Sequence, residues 1–261
     1  MTIAPYRDDL NKIVILNPKG GCGKTTLATN LASYYALRRP PPTLIDTDPN
    51  GYTARWLERR PQDSRKINGI VNTRFAQRGR RTWSFRSPKE AGAVIVDTPA
   101  SLGQREIAEL TYDADCILVP ILPSAFDIHV TTHFIAELLL LTDFDRPIAV
   151  VANRTRKNTK SLALLQRFLT SIETPTIAVL RDSQNFVHAA NLGLGIYEMP
   201  QHQVRQEIEQ MDLIIDWLDQ QLMRALEPGL ISRLIRPISH MNGIESLSNT
   251  DSHLSRRDES G

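Results

Sequence analysis

Eight consecutive residues, Lys19-Gly20-Gly21-Cys22-Gly23-Lys24-Thr25-Thr26, combine the side-chain types needed to hold a phosphate chain. Glycines let successive backbone N–H groups curl round an anion. The Lys24 ammonium can neutralise β- and γ-phosphate charge, and the Thr25 hydroxyl can ligate Mg²⁺. A helix beginning at Lys24 adds the positive end of its dipole. Pro18 stands where the common Gly-x-x-x-x-Gly-Lys-[Ser/Thr] pattern has its first glycine. A glycine-rich turn with a purely structural task does not require Lys-Thr-Thr at the helix start, so the loop reads as a nucleotide phosphate site.

Such a loop must be carried between a buried strand and a helix, and the flanking sequence supplies both. Lys12 to Leu16 is a short apolar run ending in Asn-Pro-Lys-Gly-Gly, and Thr25 to Leu37 has apolar residues at helical spacing until Pro40 to Pro42. Further short apolar runs lie at Thr43 to Ile45, Ala93 to Val96, Cys116 to Val119, Ile148 to Ala152 and Thr176 to Leu180. Helical patterns separate the later runs: Gln104 to Tyr112, Ile128 to Thr142, Ser161 to Ser171 and Asn185 to Ala190. A long amphipathic helix through Val204, Ile208, Met211, Ile215, Leu218 and Leu222 follows, which Pro228-Gly229 is expected to end. Strands of four to six apolar residues alternating with helices imply a parallel sheet covered on both faces. The expected fold class is α/β: a P-loop NTPase with a mostly parallel twisted sheet and helices on both faces. It forms a single domain over residues 1–228, and 229–261 is expected to be a largely disordered C-terminal extension.

Lys19 changes the meaning of the loop. Lys-Gly-Gly-x-Gly-Lys-Thr-Thr resembles the deviant Walker A box of the ParA/MinD family of ATPases, in which a second lysine reaches across a dimer to the other subunit's phosphates. Leu44 to Gly51 looks like that family's Asp-x-Asp-Pro-Gln box, with Asn50 in place of Gln. Val94 to Pro99 resembles its Walker B strand. The resemblance implies that Asp48 aligns the attacking water, that Asp46 and Asp97 lie in the Mg²⁺ shell with Thr25, and that Asn153 hydrogen-bonds adenine. Ile117 to Asp127 and Gly195 to Pro200 resemble two later family segments. Together the likeness runs in order through about residues 11 to 225. It implies a slow ATPase using ATP and Mg²⁺: a homodimer on ATP binding, reset when a cargo-bound activator protein stimulates hydrolysis. With the first strand near residue 12, the chain looks like the short form of the family, lacking a helix-turn-helix extension.

Composition limits what the switch can act on. The two cysteines, Cys22 and Cys116, have no metal-ligand spacing, and Met1 to Asn11 is polar with two acids. The expectation is a cytoplasmic protein without a signal peptide or a membrane span. The net charge of +2 conceals an asymmetry: Arg55 to Lys89 holds eleven Lys/Arg against Glu58 and Asp63, with Trp83 and Phe85 interleaved. A second cluster comprises Arg154, Arg156, Lys157, Lys160 and Arg167. Either can contact phosphates without reading sequence, or be an ordinary solvated face. In the family such residues usually lie towards the C-terminal half, which favours the second cluster. The expected partner is nonspecific DNA, giving a nucleoid-associated protein. The alternative is a MinD-like membrane ATPase of cell division, anchored by Leu230 to Arg236 as a short interfacial helix. Prolines 228 and 237 bracket that stretch tightly, so membrane is the less favoured surface. Thr98 to Tyr112 lacks the cysteines of an iron–sulfur reductase relative, and there is no Asn-Lys-x-Asp guanine box.

Overall fold

The computed structural model describes residues 12–38, 40–71, 92–142 and 146–234, the last thirteen of these as backbone only. The chain alternates strand and helix: β1 (Lys12–Ile15), α1 (Lys24–Ala36), β2 (Thr43–Asp46), α2 (Tyr52–Glu58), β3 (Asn68–Val71), β4 (Val94–Asp97), α3 (Gln104–Thr111) and β5 (Cys116–Ile121). It continues with α4 (Ala125–Leu141), β6 (Ile148–Thr155), α5 (Lys160–Ser171), β7 (Thr176–Arg181), α6 (Gln184–Asn191) and, after a 3-10 turn at Ile196–Glu198, α7 (Gln201–Leu234). Among the described residues the sheet has seven strands in the order β3-β2-β4-β1-β5-β6-β7. Each described pairing is parallel.

The uninterrupted apolar runs follow from coverage on both faces. Along β1, Ile13 and Ile15 enter a core shared with α1, α2, α6 and α7, whereas Val14 and Leu16 enter one shared with α3, α4 and α5. A strand flanked by helices on both sides has no wet face, so the alternation of polar and apolar disappears. Each fully buried Ile or Leu contributes about 1.5–3 kcal/mol, and the four residues of the central strand β1, paired on both sides, are all buried. β1, β2 and β4 end side by side, Ile15 and Asp46 each in register with Asp97. In a parallel sheet all C-terminal strand ends share one edge, and that edge carries the loops with the chemistry.

The strand β3 and the short helix α2 lie within the basic segment, where the residue pattern marks neither. Asn68-Gly69-Ile70-Val71 has only two apolar residues, because an edge strand is buried less completely than a central one. The last helix does not end at Pro228-Gly229: its backbone stays helical to Leu234. Proline removes one backbone donor, but its fixed φ is compatible with helix, so the flanking turns can continue through it. Residues 229–234 therefore prolong α7, and the expected disordered tail from 235 onward lies outside the described residues. A bend near the start of this helix falls at Val204 (φ −121°, ψ 15°).

Candidate nucleotide site

The phosphate loop is anchored by the residue just before it. Asn17 is buried, and its Nδ2 donates to Pro120 O (2.7 Å) and to Thr131 Oγ1 (3.2 Å) while its Oδ1 accepts from Lys19 N (2.8 Å). This pins the exit of β1 to the end of β5 and to α4. The loop then curls over Lys24, whose Nζ donates to Asn17 O and Lys19 O, both at 3.0 Å. Both partners are neutral carbonyls, so the buried ammonium keeps its net charge for an anion. Gly21 (φ +74°) and Gly23 (φ +104°) hold left-handed conformations that a side chain would strain. Cys22 Sγ donates to Lys19 O at 3.2 Å, and burial raises this thiol above its ordinary range. The Lys19 ammonium makes no hydrogen bond or ion pair with the described residues. Gly20 and Gly21 are exposed, and Thr25 and Thr26 half-buried, at the mouth of the curl.

Beside the loop lies an oxygen-lined corner. Thr25 Oγ1 donates to Asp97 Oδ2 at 2.8 Å, and Thr53 Oγ1 donates to the same oxygen at 2.6 Å. Asp97 Oδ1 is buried without a hydrogen-bond partner. Burial pushes the Asp97 carboxyl up to about 7, opposed by the Thr53 and Thr25 hydroxyls. A carboxylate held out of water with one oxygen unmatched, next to a threonine hydroxyl, is a hard oxygen donor set that fits Mg²⁺, an ion that keeps several waters and needs few protein ligands. Thr25 and Asp97 would hold the ion. Asp46 lies in register with Asp97, but its Oδ1 accepts from Asp48 N (3.0 Å) and its Oδ2 from Ala54 N (2.9 Å). Burial raises its pKa as well. Its remaining lone pairs suit an ion's water shell rather than the ion itself.

Asp48 opens a tight turn in which Gly51 N donates to Asp48 O at 3.0 Å, with Gly51 at φ +65°. Asn50 folds back: its backbone N and its Nδ2 both donate to Asp48 Oδ1 at 2.9 Å. The residue that replaces the family's Gln thus orients the carboxylate, and the half-buried Asp48 follows β2 at the sheet edge where Asp97 ends β4.

The CobQ/CobB/MinD/ParA nucleotide-binding domain matches residues 13–196. The chain belongs to that nucleotide-binding family. The Maintenance of carboxysome distribution protein A of Halothiobacillus neapolitanus is 25% identical over 191 residues, spanning 72% of this chain and 87% of that protein. Among solved structures, MinD of Aquifex aeolicus superposes with a TM-score of 0.59 at 19% identity, covering 80% of this chain and 95% of that one. A Cyanothece McdA variant in complex with ATP gives 0.54 at 16% identity, covering 84% and 95%. The two structures establish the shared fold.

Two family segments take on definite tasks here. Asn153, which the resemblance assigns to adenine, is buried against the phosphate loop: its Nδ2 donates to Cys22 O (2.8 Å) and its Oδ1 accepts from Arg154 N (2.8 Å). The reason is proximity, since β6 ends directly behind Gly23. Gly195 packs so closely on α1 that a Cβ there would fall 1.7 Å from Ser33 Oγ, and Ile196 N donates to Asn30 Oδ1 at 2.8 Å. The late Gly-to-Pro segment therefore braces the helix that follows the phosphate loop. Asn17, Thr47 and Thr53 escaped the sequence reading. A polar residue at the end of an apolar strand was the available signal for Asn17. Thr47, whose hydroxyl donates to Asp97 O at 2.8 Å, and Thr53 gave none.

The basic clusters separate physically. In the first, Arg55, Arg59, Arg65 and Lys66 are exposed, but Arg60 is buried in a two-pronged pair with Glu198 (2.6 and 3.0 Å) and lies over the Trp56 ring. Its remaining members, with Trp83 and Phe85, lie outside the described residues. In the second, Arg154, Arg156, Lys157, Lys160 and Arg167 are all exposed at the end of β6 and along α5. Asp182 pairs with both Arg154 (3.4 Å) and Arg156 (2.7 Å), and the Arg156 guanidinium holds that carboxyl below its usual range.

Proposed function

We propose that this chain is a slow, Mg²⁺-dependent ATPase that closes a homodimer on ATP, binds nonspecific DNA in that form and positions or segregates a cargo. The cargo class is a plasmid, a chromosome region or a protein organelle such as a carboxysome. A cargo-bound activator protein stimulates hydrolysis and resets the cycle in the cytoplasm, on the nucleoid. The observation that carries this reading is Lys19: a second lysine within a phosphate loop, its ammonium without a described partner, while Lys24 is held inside the loop by carbonyls. Two triphosphates brought face to face concentrate negative charge, and a lysine supplied by each subunit offsets it. The relationship to a carboxysome distribution protein supports the positioning role.

The residues divide the work as follows. Backbone N–H groups from Gly20 to Thr25 cradle the phosphates, and Lys24 neutralises their charge. Magnesium, when bound, would supply further neutralisation of phosphate charge. Thr25 and Asp97 would hold it, and Asp46 keeps the Asp48 turn in place through the Asp48 and Ala54 N–H groups. Asp48 orients the attacking water. Phosphoryl transfer needs little more than such positioning and electrostatics. Lys157, Lys160 and Arg167, with the partly neutralised Arg154 and Arg156, make the DNA-facing surface.

One observation favours a second reading. The continuation of α7 through Leu230, Ile231 and Leu234 offers a MinD-like membrane contact. Among the described residues no helix is long and apolar enough to cross a membrane. The experiment that separates the two is ATP-dependent retention on nonspecific DNA with a salt titration, run beside anionic liposomes. Retention on DNA that requires ATP and fades steeply with salt supports the proposal; retention on liposomes alone overturns it in favour of the membrane.

A further inference from the structure

Thr53 is fully buried at the second position of α2, and its hydroxyl donates to Asp97 Oδ2 at 2.6 Å. Thr25, at the start of α1, donates to that same oxygen at 2.8 Å. The two hydroxyls thus converge on Oδ2 and leave Oδ1 unmatched. A terminal carboxylate torsion is intrinsically soft, with broad wells. Which oxygen faces the ion is therefore decided by the hydrogen bonds at the other.

The next residue makes a matching contact. Ala54 N donates to Asp46 Oδ2 at 2.9 Å, and Asp46 stands in register with Asp97 across β2 and β4. Gly51 caps α2 without any side-chain hydrogen bond. The first turn of α2 is therefore seated on the two strand-end carboxylates, one through a backbone N–H and one through a hydroxyl. Farther along the same helix, Trp56 Nε1 donates to Leu194 O at 3.2 Å.

We propose that Thr53 is a positioning residue of the magnesium site: its hydroxyl sets the Asp97 carboxylate so that Oδ1 is presented to the ion, and it joins that carboxylate to the start of α2. Thr25 keeps its O–H on Oδ2 while its oxygen lone pairs serve the ion as a ligand, so it has two tasks. Thr53 has no such second task. The β-branched side chain suits it, since a stiff χ1 keeps the hydroxyl on target. This inference rests on the nucleotide-hydrolysing reading of the site.

The test uses the full chain and a fluorescent ATP analogue, titrated with Mg²⁺ and measured again in EDTA. Thr53→Val keeps the shape of the side chain and removes the donor. The expected result is a rise of about tenfold in the Mg²⁺ concentration for half-maximal effect, the usual scale for removing an outer-shell partner. Nucleotide binding in EDTA should not change, and Thr53→Ser should restore the wild-type curve. Should Thr53→Val fail to fold, Thr53→Ala takes its place with the same expected shift. A variant titration that superposes on wild type overturns the role, as does Thr53→Ser being impaired as much as Thr53→Val. Absence of Mg²⁺-dependent nucleotide binding in the wild-type chain would instead overturn the ATPase reading itself.

Discussion

The side-chain amide of Asn153 lies 2.8 Å from the carbonyl of Cys22, and a Cβ on the adjacent Gly23 would fall 2.0 Å from its nitrogen. The end of β6 therefore reaches the phosphate loop at a point where only glycine fits. Gly23→Ala is expected to lose nucleotide binding, because both the positive φ and the close approach oppose the methyl group. Gly21→Ala meets open space and should lose only about 1–2 kcal/mol from its left-handed backbone. Thermal melts and labelled-ATP binding on the two variants check the contrast. Adding Asn153→Ala should relieve part of the Gly23→Ala defect.

Lys19 and Asp48 are predicted to separate binding from turnover. Lys19→Ala should bind nucleotide and yet show no activator-stimulated hydrolysis. Asp48→Ala should accumulate as an ATP-bound dimer, seen by light scattering or gel filtration with ATP. Normal stimulation of the first, or normal turnover of the second, removes the role assigned to that residue.

The Arg60–Glu198 pair tests whether a basic residue in the charged segment is structural. Both side chains are under a tenth exposed, and Glu198 Oε2 also accepts from Gly195 N at 2.9 Å. Breaking a buried, hydrogen-bonded pair from one side costs about 3–5 kcal/mol. Arg60→Ala should shift the urea midpoint by a corresponding amount, whereas exposed Arg59→Ala should leave it nearly unchanged.

Lys157→Glu and Lys160→Glu, singly, should weaken DNA retention uniformly across sequences and reduce the slope of log K against log salt by about one for each phosphate contact removed. Asp182→Asn should act in the opposite direction by releasing Arg154 and Arg156. Retention that ignores all three substitutions would move the DNA surface away from α5.

Much of this protein is legible in its residues. The run Lys12 to Leu16, the glycine loop and Lys24-Thr25 specify a strand, a turn and a helix through purely local chemistry: apolar burial, positive φ and a phosphate-binding dipole. The acids Asp46 and Asp97 end their strands where the pattern places them, because short apolar runs bounded by polar residues mark strand ends well. The edge strand β3 was not legible, since a strand buried on one side presents little apolar signal. Nor was the passage of α7 through Pro228, where local propensity argues for a stop.

What the sequence determined by itself is the order of the strands and helices other than α2 and β3, the phosphate loop with both its lysines, and the acids at the strand ends. These depend on neighbours within a few residues. Tertiary structure alone decided that Asn153 braces the loop, that Asn17 ties β1 to β5 and α4, that Arg60 is withdrawn from the basic surface, and that Thr53 shares an oxygen of Asp97 with Thr25. Those contacts join residues from 44 to more than 130 positions apart. Their partners are chosen by the register of the parallel sheet and by how helices and turns pack on it, which no local pattern of residue types records.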